Sequence, residues 1–151
     1  EAMSNGVLAG YPVVDMRVVL YDGSYHEVDS SDFAFQEAGR ACFKELFLKG
    51  SPIILEPVMS VEVITPEEFM GGATGSICQR RGRIETMEEK GAQKLIQGMV
   101  PLGEMFGYAT ALRSMSQGRA NFTMQFEHYE AVPFFLTEQI IKARRAANKI
   151  R

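Results

Sequence analysis

The chain repeats itself, and the repeat restricts the fold more than any other feature. Displaced by 36 positions, Glu68-Phe-Met-Gly71-Gly-Ala73-Thr74 falls on Glu104-Met-Phe-Gly107-Tyr-Ala109-Thr110, and Gly82-Arg83 falls on Gly118-Arg119. Six of sixteen consecutive positions agree without a gap, more than composition supplies. Each copy reads as a helix closed by Gly-Arg and followed by a strand, with another strand before it. Two such βαβ halves build the ferredoxin-like split βαβ plait, an α+β fold. Glycines inside the two helices cost roughly 1 kcal/mol each. Close packing of helix on sheet is the expected reason for Gly71 and Gly107.

Periodicity fills in the elements. Residues 1–10 read as a helix end closed by Gly6. Val14, Met16, Val18 and Leu20 alternate with Asp15, Arg17 and Val19, which predicts a strand over 13–21. Asp22-Gly23-Ser24 is a turn signal. Asp29-Ser-Ser-Asp32 offers N-cap oxygens for a helix over 31–49, with Phe35, Ala38, Cys42 and Leu46 on one face and Gly50 as its stop. Ser51-Pro52 is the boundary candidate. A strand follows, paired over 58–64, with Pro57 at an edge or before the pairing because it lacks an N–H. Thr65-Pro66-Glu67-Glu68 predicts a helix start, with Thr65 as N-cap. That helix ends near Gly82, and strands follow at 83–89 and 93–100. A helix over 102–116 turns Leu102, Met105, Ala109 and Leu112 inward. Arg119–His128 is the last strand, with Phe122, Met124 and Phe126 as core. A final helix over 134–148 follows Pro133. The domain reading is 1–52, 53–130, and a C-terminal helix at 131–151.

Composition excludes several classes. Hydrophobic residues at 46% and charged residues at 23% exclude a mainly disordered chain. The net charge of −3 excludes an overall polycation. Residues 1–50 hold eight acids and four bases, whereas the remainder hold eleven and twelve and end in the basic run Lys142–Arg151. No apolar run approaches the roughly 18 residues of a membrane span, and no secretory signal is visible. Two isolated cysteines, Cys42 and Cys78, make no disulfide framework and fit a reduced cytoplasmic setting. The chain opens at Glu1 without an initiator Met. One strand and one helix in residues 1–50 cannot cover both of their faces, so this part is expected to be truncated and to pair its strand with missing strands or a second copy.

Catalytic motifs are missing from the sequence. There is no phosphate loop, no nucleophile elbow, and no histidine at metal-ligand spacing. Gly71-Gly72-Ala-Thr-Gly75 lies in a helical pattern, not after a strand. Two other segments stand out. Asp22, Gly23, Ser24, Tyr25, His26 and Glu27, with Tyr21, form a polar loop that is either an ordinary turn or a contact tip. Its Tyr and His can stack on bases and bond to phosphate or ribose. Arg80, Arg81 and Arg83 crowd a helix end, and Arg119 is their counterpart in the second copy. They serve either the helix dipole and solubility or RNA phosphates, which match the guanidinium fork.

At these residues the chain resembles a known family. Tyr21-Asp-Gly-Ser-Tyr-His-Glu-Val-Asp-Ser-Ser31 is similar to the fourth domain of bacterial and organellar translation elongation factor G. Leu55-Glu-Pro-Val-Met59, Thr65-Pro-Glu-Glu-Phe-Met-Gly71, Arg80-Arg-Gly-Arg-Ile84, Pro101-Leu-Gly-Glu-Met-Phe-Gly-Tyr-Ala-Thr110 and Gln117-Gly-Arg-Ala-Asn-Phe-Thr-Met-Gln-Phe126 resemble its fifth domain. The resemblance covers essentially the whole chain in the family's order. It implies the end of domain four, of the fold shared with ribosomal protein S5, followed by all of domain five.

It also implies a role on the ribosome. Residues 22–27 become a tip loop that touches A-site tRNA and messenger in the decoding region. Arg80, Arg81, Arg83 and Arg119 become candidate contacts to large-subunit rRNA. GTP and Mg would belong to the full-length protein, whose N-terminal GTPase domains are further partners, and this part would bind neither and catalyse nothing. The uncharged Gly72–Ser76 segment and Ala120 depart from the family pattern, so a translocase and a paralogue acting in ribosome recycling both remain open. A free-standing regulatory plait that binds a small ligand is a further alternative. An acid–base set of His26 with Asp22 or Glu27 is the enzymatic one.

Overall fold

The structure is a computed structural model that describes residues 2–149. It forms two compact units, residues 55–132 and residues 1–54 together with 133–151.

The 55–132 unit carries the repeat. Its elements are β1 (Leu55–Pro66), α2 (Met70–Gln79), β2 (Arg83–Lys90), β3 (Gln93–Pro101), α3 (Tyr108–Met115) and β4 (Asn121–Ala131), where α1 is the Asp32–Lys49 helix of the other unit. The sheet order is β2-β3-β1-β4 and every neighbouring pair is antiparallel. That is the ferredoxin-like plait expected from the repeat. Val61 and Val63 of β1 and Ile96 and Val100 of β3 bury against Ala73 and Ile77 of α2 and Tyr108 and Leu112 of α3. The outer strand β2 is exposed and holds Glu85, Glu88, Glu89 and Lys90, charges that discourage pairing with another chain.

The symmetry extends to the helix ends. Each helix closes on a non-glycine residue with left-handed backbone, Arg81 (φ 58°) and Gln117 (φ 53°). The following glycine N–H then reaches back five residues, Gly82 to the Ile77 carbonyl at 3.0 Å and Gly118 to the Arg113 carbonyl at 2.9 Å. These bonds satisfy carbonyls that the helix leaves open. The two copies also clasp each other. Arg119, after the second helix, pairs with Glu68 before the first, and Arg81, after the first, pairs with Glu104 before the second.

Several expectations change here. Thr65 is no N-cap. It lies fully buried one residue before the end of β1, its hydroxyl donating to the Pro66 carbonyl at 3.3 Å, and a 3-10 turn at Glu67–Phe69 separates the strand from α2. Burial of the threonine in the core outweighs its local capping preference. Gly71 has open space around it, so close packing does not explain it. Gly107 is explained by its left-handed φ of 75° at the start of α3. The close approaches occur elsewhere. A Cβ on Gly72 would lie 2.6 Å from Met115 Sδ, and one on Gly82 would lie 2.5 Å from Ile77 Cγ2. The helix predicted over 102–116 opens with a 3-10 turn at Leu102–Glu104, and this phase shift turns Tyr108 inward and leaves Ala109 exposed. Phe122 packs on the core, but Met124 (43% exposed) and Phe126 (53%) do not, because β4 is the outer strand. Pro57 lies where β1 has one neighbour: pairing with β3 starts at Val58, whereas Pro57 faces Tyr129 of β4.

The other unit holds α1 and α4 (Phe134–Lys149). Ser31 caps α1, its Oγ accepting the Ala34 N–H at 3.2 Å, and the Gly50 N–H closes it on the Leu46 carbonyl at 3.0 Å. Phe43 and Phe47 are the half-buried pair on α1, stacked at 5.8 Å, while Phe35, Cys42 and Leu46 are exposed. The apolar stripe spans adjoining columns of the helix, and periodicity does not choose between them. The predicted strand over 13–21 is absent: the segment has neither helix nor strand, and Val14, Val18, Val19 and Leu20 are exposed. An alternating pattern supplies a face, but the backbone becomes a strand only beside a partner. Residues 2–4 make one 3-10 turn rather than a helix end, and Gly6 serves a close turn in which its N–H donates to the Tyr11 carbonyl at 2.9 Å. On α4, Arg144 lies over the Tyr11 ring at 4.4 Å.

Candidate functional site

The loop over 21–30 is built from its base. The His26 N–H donates to Ser30 Oγ at 2.8 Å, and the Ser30 N–H returns to the His26 carbonyl at 3.0 Å. This closed turn runs straight into Ser31, the cap of α1, so the helix anchors the loop. Asp22 Oδ1 accepts the Gly23 N–H at 2.8 Å and folds the other side. Residues 22–27 are all exposed, with Tyr21 at 94% and Tyr25 at 67%. The result is an anchored tip that presents two tyrosines and a histidine. His26 is held through its backbone, and no pair of His26 with Asp22 or Glu27 forms among the described residues. The arrangement suits contact, not proton transfer.

The four arginines are brought together only in part. Arg81 holds Glu56 with both Nη atoms, at 2.8 and 2.7 Å, and Glu104 through Nε at 3.0 Å. The Glu56 hydrogen bond, with that to Glu104, raises its pKa above the ordinary arginine value. Arg83 reaches from β2 to Glu130 on β4 at 2.6 Å, and His128 Nε2 also bonds Glu130 at 2.8 Å. The carboxyl of Glu130 is therefore held below its usual range, first by Arg83 and then by His128. Arg119 pairs with Glu68 and covers the Phe69 ring at 5.5 Å. Arg80 differs. It donates to the carbonyls of Glu104 and Phe106, the latter at 3.2 Å, and lies 5.2 Å from the centre of the Tyr108 ring.

Sequence reasoning did not single out Phe106. It is 80% exposed between buried Met105 and buried Tyr108. Its signal was present in Met105-Phe-Gly107-Tyr108, where periodicity cannot make both aromatics core. No cluster of His, Cys, Asp or Glu suited to a metal ion occurs among the described residues, and no described helix is long and apolar enough to cross a membrane.

Comparison with known proteins gives two family matches: elongation factor G, domain IV, over residues 1–51, and elongation factor G C-terminus, over residues 53–140. Elongation factor G of Aquifex pyrophilus is 58% identical over 146 residues, which is 97% of this chain and 21% of that protein. A crystal structure of a Thermus thermophilus protein matches with a TM-score of 0.84 at 41% identity, covering 96% of this chain and 22% of the other. The chain thus spans about a fifth of the length of these relatives.

Proposed function

The chain belongs to the elongation factor G family, and on that premise we propose that it works as the ribosome-contacting arm of a GTP-dependent translocase. The observation that carries this reading is the exposed Tyr21–Glu27 tip, tied at His26 and Ser30 to the capped start of α1. A tip of two tyrosines and a histidine suits stacking and hydrogen bonding to A-site tRNA and messenger. The arm performs no bond chemistry. GTP and Mg belong to other domains of the intact cytoplasmic factor, and rigid-body movement of domains transmits hydrolysis to the tip. Contact with large-subunit rRNA falls to the 55–132 unit. Of its four candidate arginines, Arg81, Arg83 and Arg119 already face carboxylates, so a phosphate there competes with Glu56, Glu130 and Glu68.

The test is His26→Ala in the intact factor, read as the single-turnover rate of translocation on ribosomes. Losing one contact made during movement, about 1.4 kcal/mol, slows the step roughly tenfold. An unchanged rate removes the tip loop from the mechanism. A paralogue acting in ribosome recycling would use the same arm, and the change would then slow subunit splitting while leaving translocation unaffected.

A further inference from the structure

We propose that Phe106 and Arg80 together form a stacking platform for one unpaired RNA base, a proposal that rests on the ribosomal reading above. A single exposed apolar side chain is ordinary on a protein surface, and exposure alone carries nothing. Phe106 is distinguished by the way it is held. Met105 on one side is 6% exposed and Tyr108 on the other is fully buried, so the backbone is pinned before and after the ring. Gly107 makes the turn between them at a φ of 75°. Arg80, from the end of α2, donates to the carbonyls of Glu104 and Phe106 and so fastens this segment across the two halves of the repeat. The ring therefore stands on a fixed base, and little entropy is lost when a partner binds it.

The charge beside the ring selects the partner. Arg81, Arg83 and Arg119 are matched by Glu56, Glu130 and Glu68. Arg80 is held by two neutral carbonyls and an aromatic face, and it forms no ion pair among the described residues. No carboxylate among the described residues offsets its charge, and its Nη1 lies 3.2 Å from the carbonyl oxygen of Phe106, on the backbone that carries the exposed ring. An exposed aromatic ring on a segment held by a cation that no carboxylate neutralises is the chemistry that takes a splayed nucleobase and its phosphate. A protein partner would need only apolar bulk at 106. An RNA base needs the π face.

The chain contains no tryptophan, so Phe106→Trp installs a single fluorophore at the platform. The probes are intact ribosomes and large-subunit RNA stripped of protein, each titrated against the 151-residue chain. The indole of this variant is expected to be quenched by both and to keep wild-type affinity. Phe106→Ala and Phe106→Leu are expected to weaken binding to both by about 5- to 150-fold, the range that corresponds to loss of one stacked base. Neither change should alter the thermal midpoint, because the ring is exposed. Equal affinity of the wild type and Phe106→Leu overturns the proposal, and so does an effect seen with ribosomes but not with naked RNA, which would indicate a ribosomal protein. Failure of the wild-type chain to bind either probe instead overturns the ribosomal reading, and the platform with it.

Discussion

Tyr108 is fully buried, and its hydroxyl has no hydrogen-bond partner among the described residues. Its ring meets Phe122 edge to face at 4.9 Å, and Arg80 lies over it. Burial pushes the phenol above its ordinary value of 10.0. The ring thus contributes packing, while the oxygen contributes an uncompensated desolvation cost. Tyr108→Phe is expected to raise stability by about 1 kcal/mol in urea denaturation; a loss would mean that the hydroxyl is partnered after all. The sequence marks Tyr108 only as one of two aromatics beside Gly107. Which one turns inward depends on the 3-10 turn at Leu102–Glu104, and that turn follows from how β3 delivers the chain to α3. The tip loop is more readable, because Asp22-Gly23-Ser24 and Ser30-Ser31 act locally, through side-chain oxygens on adjacent backbone.

At the scale of elements, the two repeat helices show how one glycine differs from another. Gly71 sits in the first turn of α2 with nothing within 4 Å of a built Cβ. Gly82 would place that atom 2.6 Å from the Ile77 carbonyl oxygen and 2.9 Å from Val100 Cγ2. Gly71→Ala is expected to gain about 0.5–1 kcal/mol by restricting the unfolded chain and favouring helix. Gly82→Ala is expected to cost about 1–3 kcal/mol through overpacking. Parallel thermal denaturations read both, and the same sign for the two changes would contradict the geometry. Helix and strand identities in the 55–132 unit are legible in the sequence because burial there follows periods of 3.6 and 2. The segment over 13–21 departs from its pattern for the converse reason: its alternation is clear, yet a ladder needs a second strand.

At the scale of the molecule, the 55–132 unit is held partly by charge across its sheet. Arg83 at the start of β2 and Glu130 near the end of β4 join the two outer strands, and Lys94 holds Glu89 within the β2–β3 hairpin. Glu130 and Glu89 both have pKa values lowered from 4.5 by these cations. A depressed carboxylate adds stability that is present above its unfolded value and is lost as pH falls through the folded one. Denaturation midpoints are therefore expected to decline below about pH 4.5, and Arg83→Met should shallow that decline by removing the main cause at Glu130. An identical pH profile in the variant would exclude the pair as a contributor. Because Glu89 is exposed and Glu130 is half-buried, salt should weaken the effect, more at Glu89 than at Glu130. The plait is legible in the 36-residue repeat alone, since a repeat of strand, helix and strand can bury its apolar faces in few other ways. The Asp22-Gly23-Ser24 turn and the Ser31 cap are legible too, because neighbours in the chain make them, whereas the His26–Ser30 closure that anchors the loop appears in the structure. Which arginine lacks a carboxylate partner, which phenylalanine stands exposed and which glycine tolerates no Cβ became visible only in the folded chain. Those outcomes depend on distances between residues far apart in sequence, such as Arg80 and Phe106, and local chemistry does not encode them.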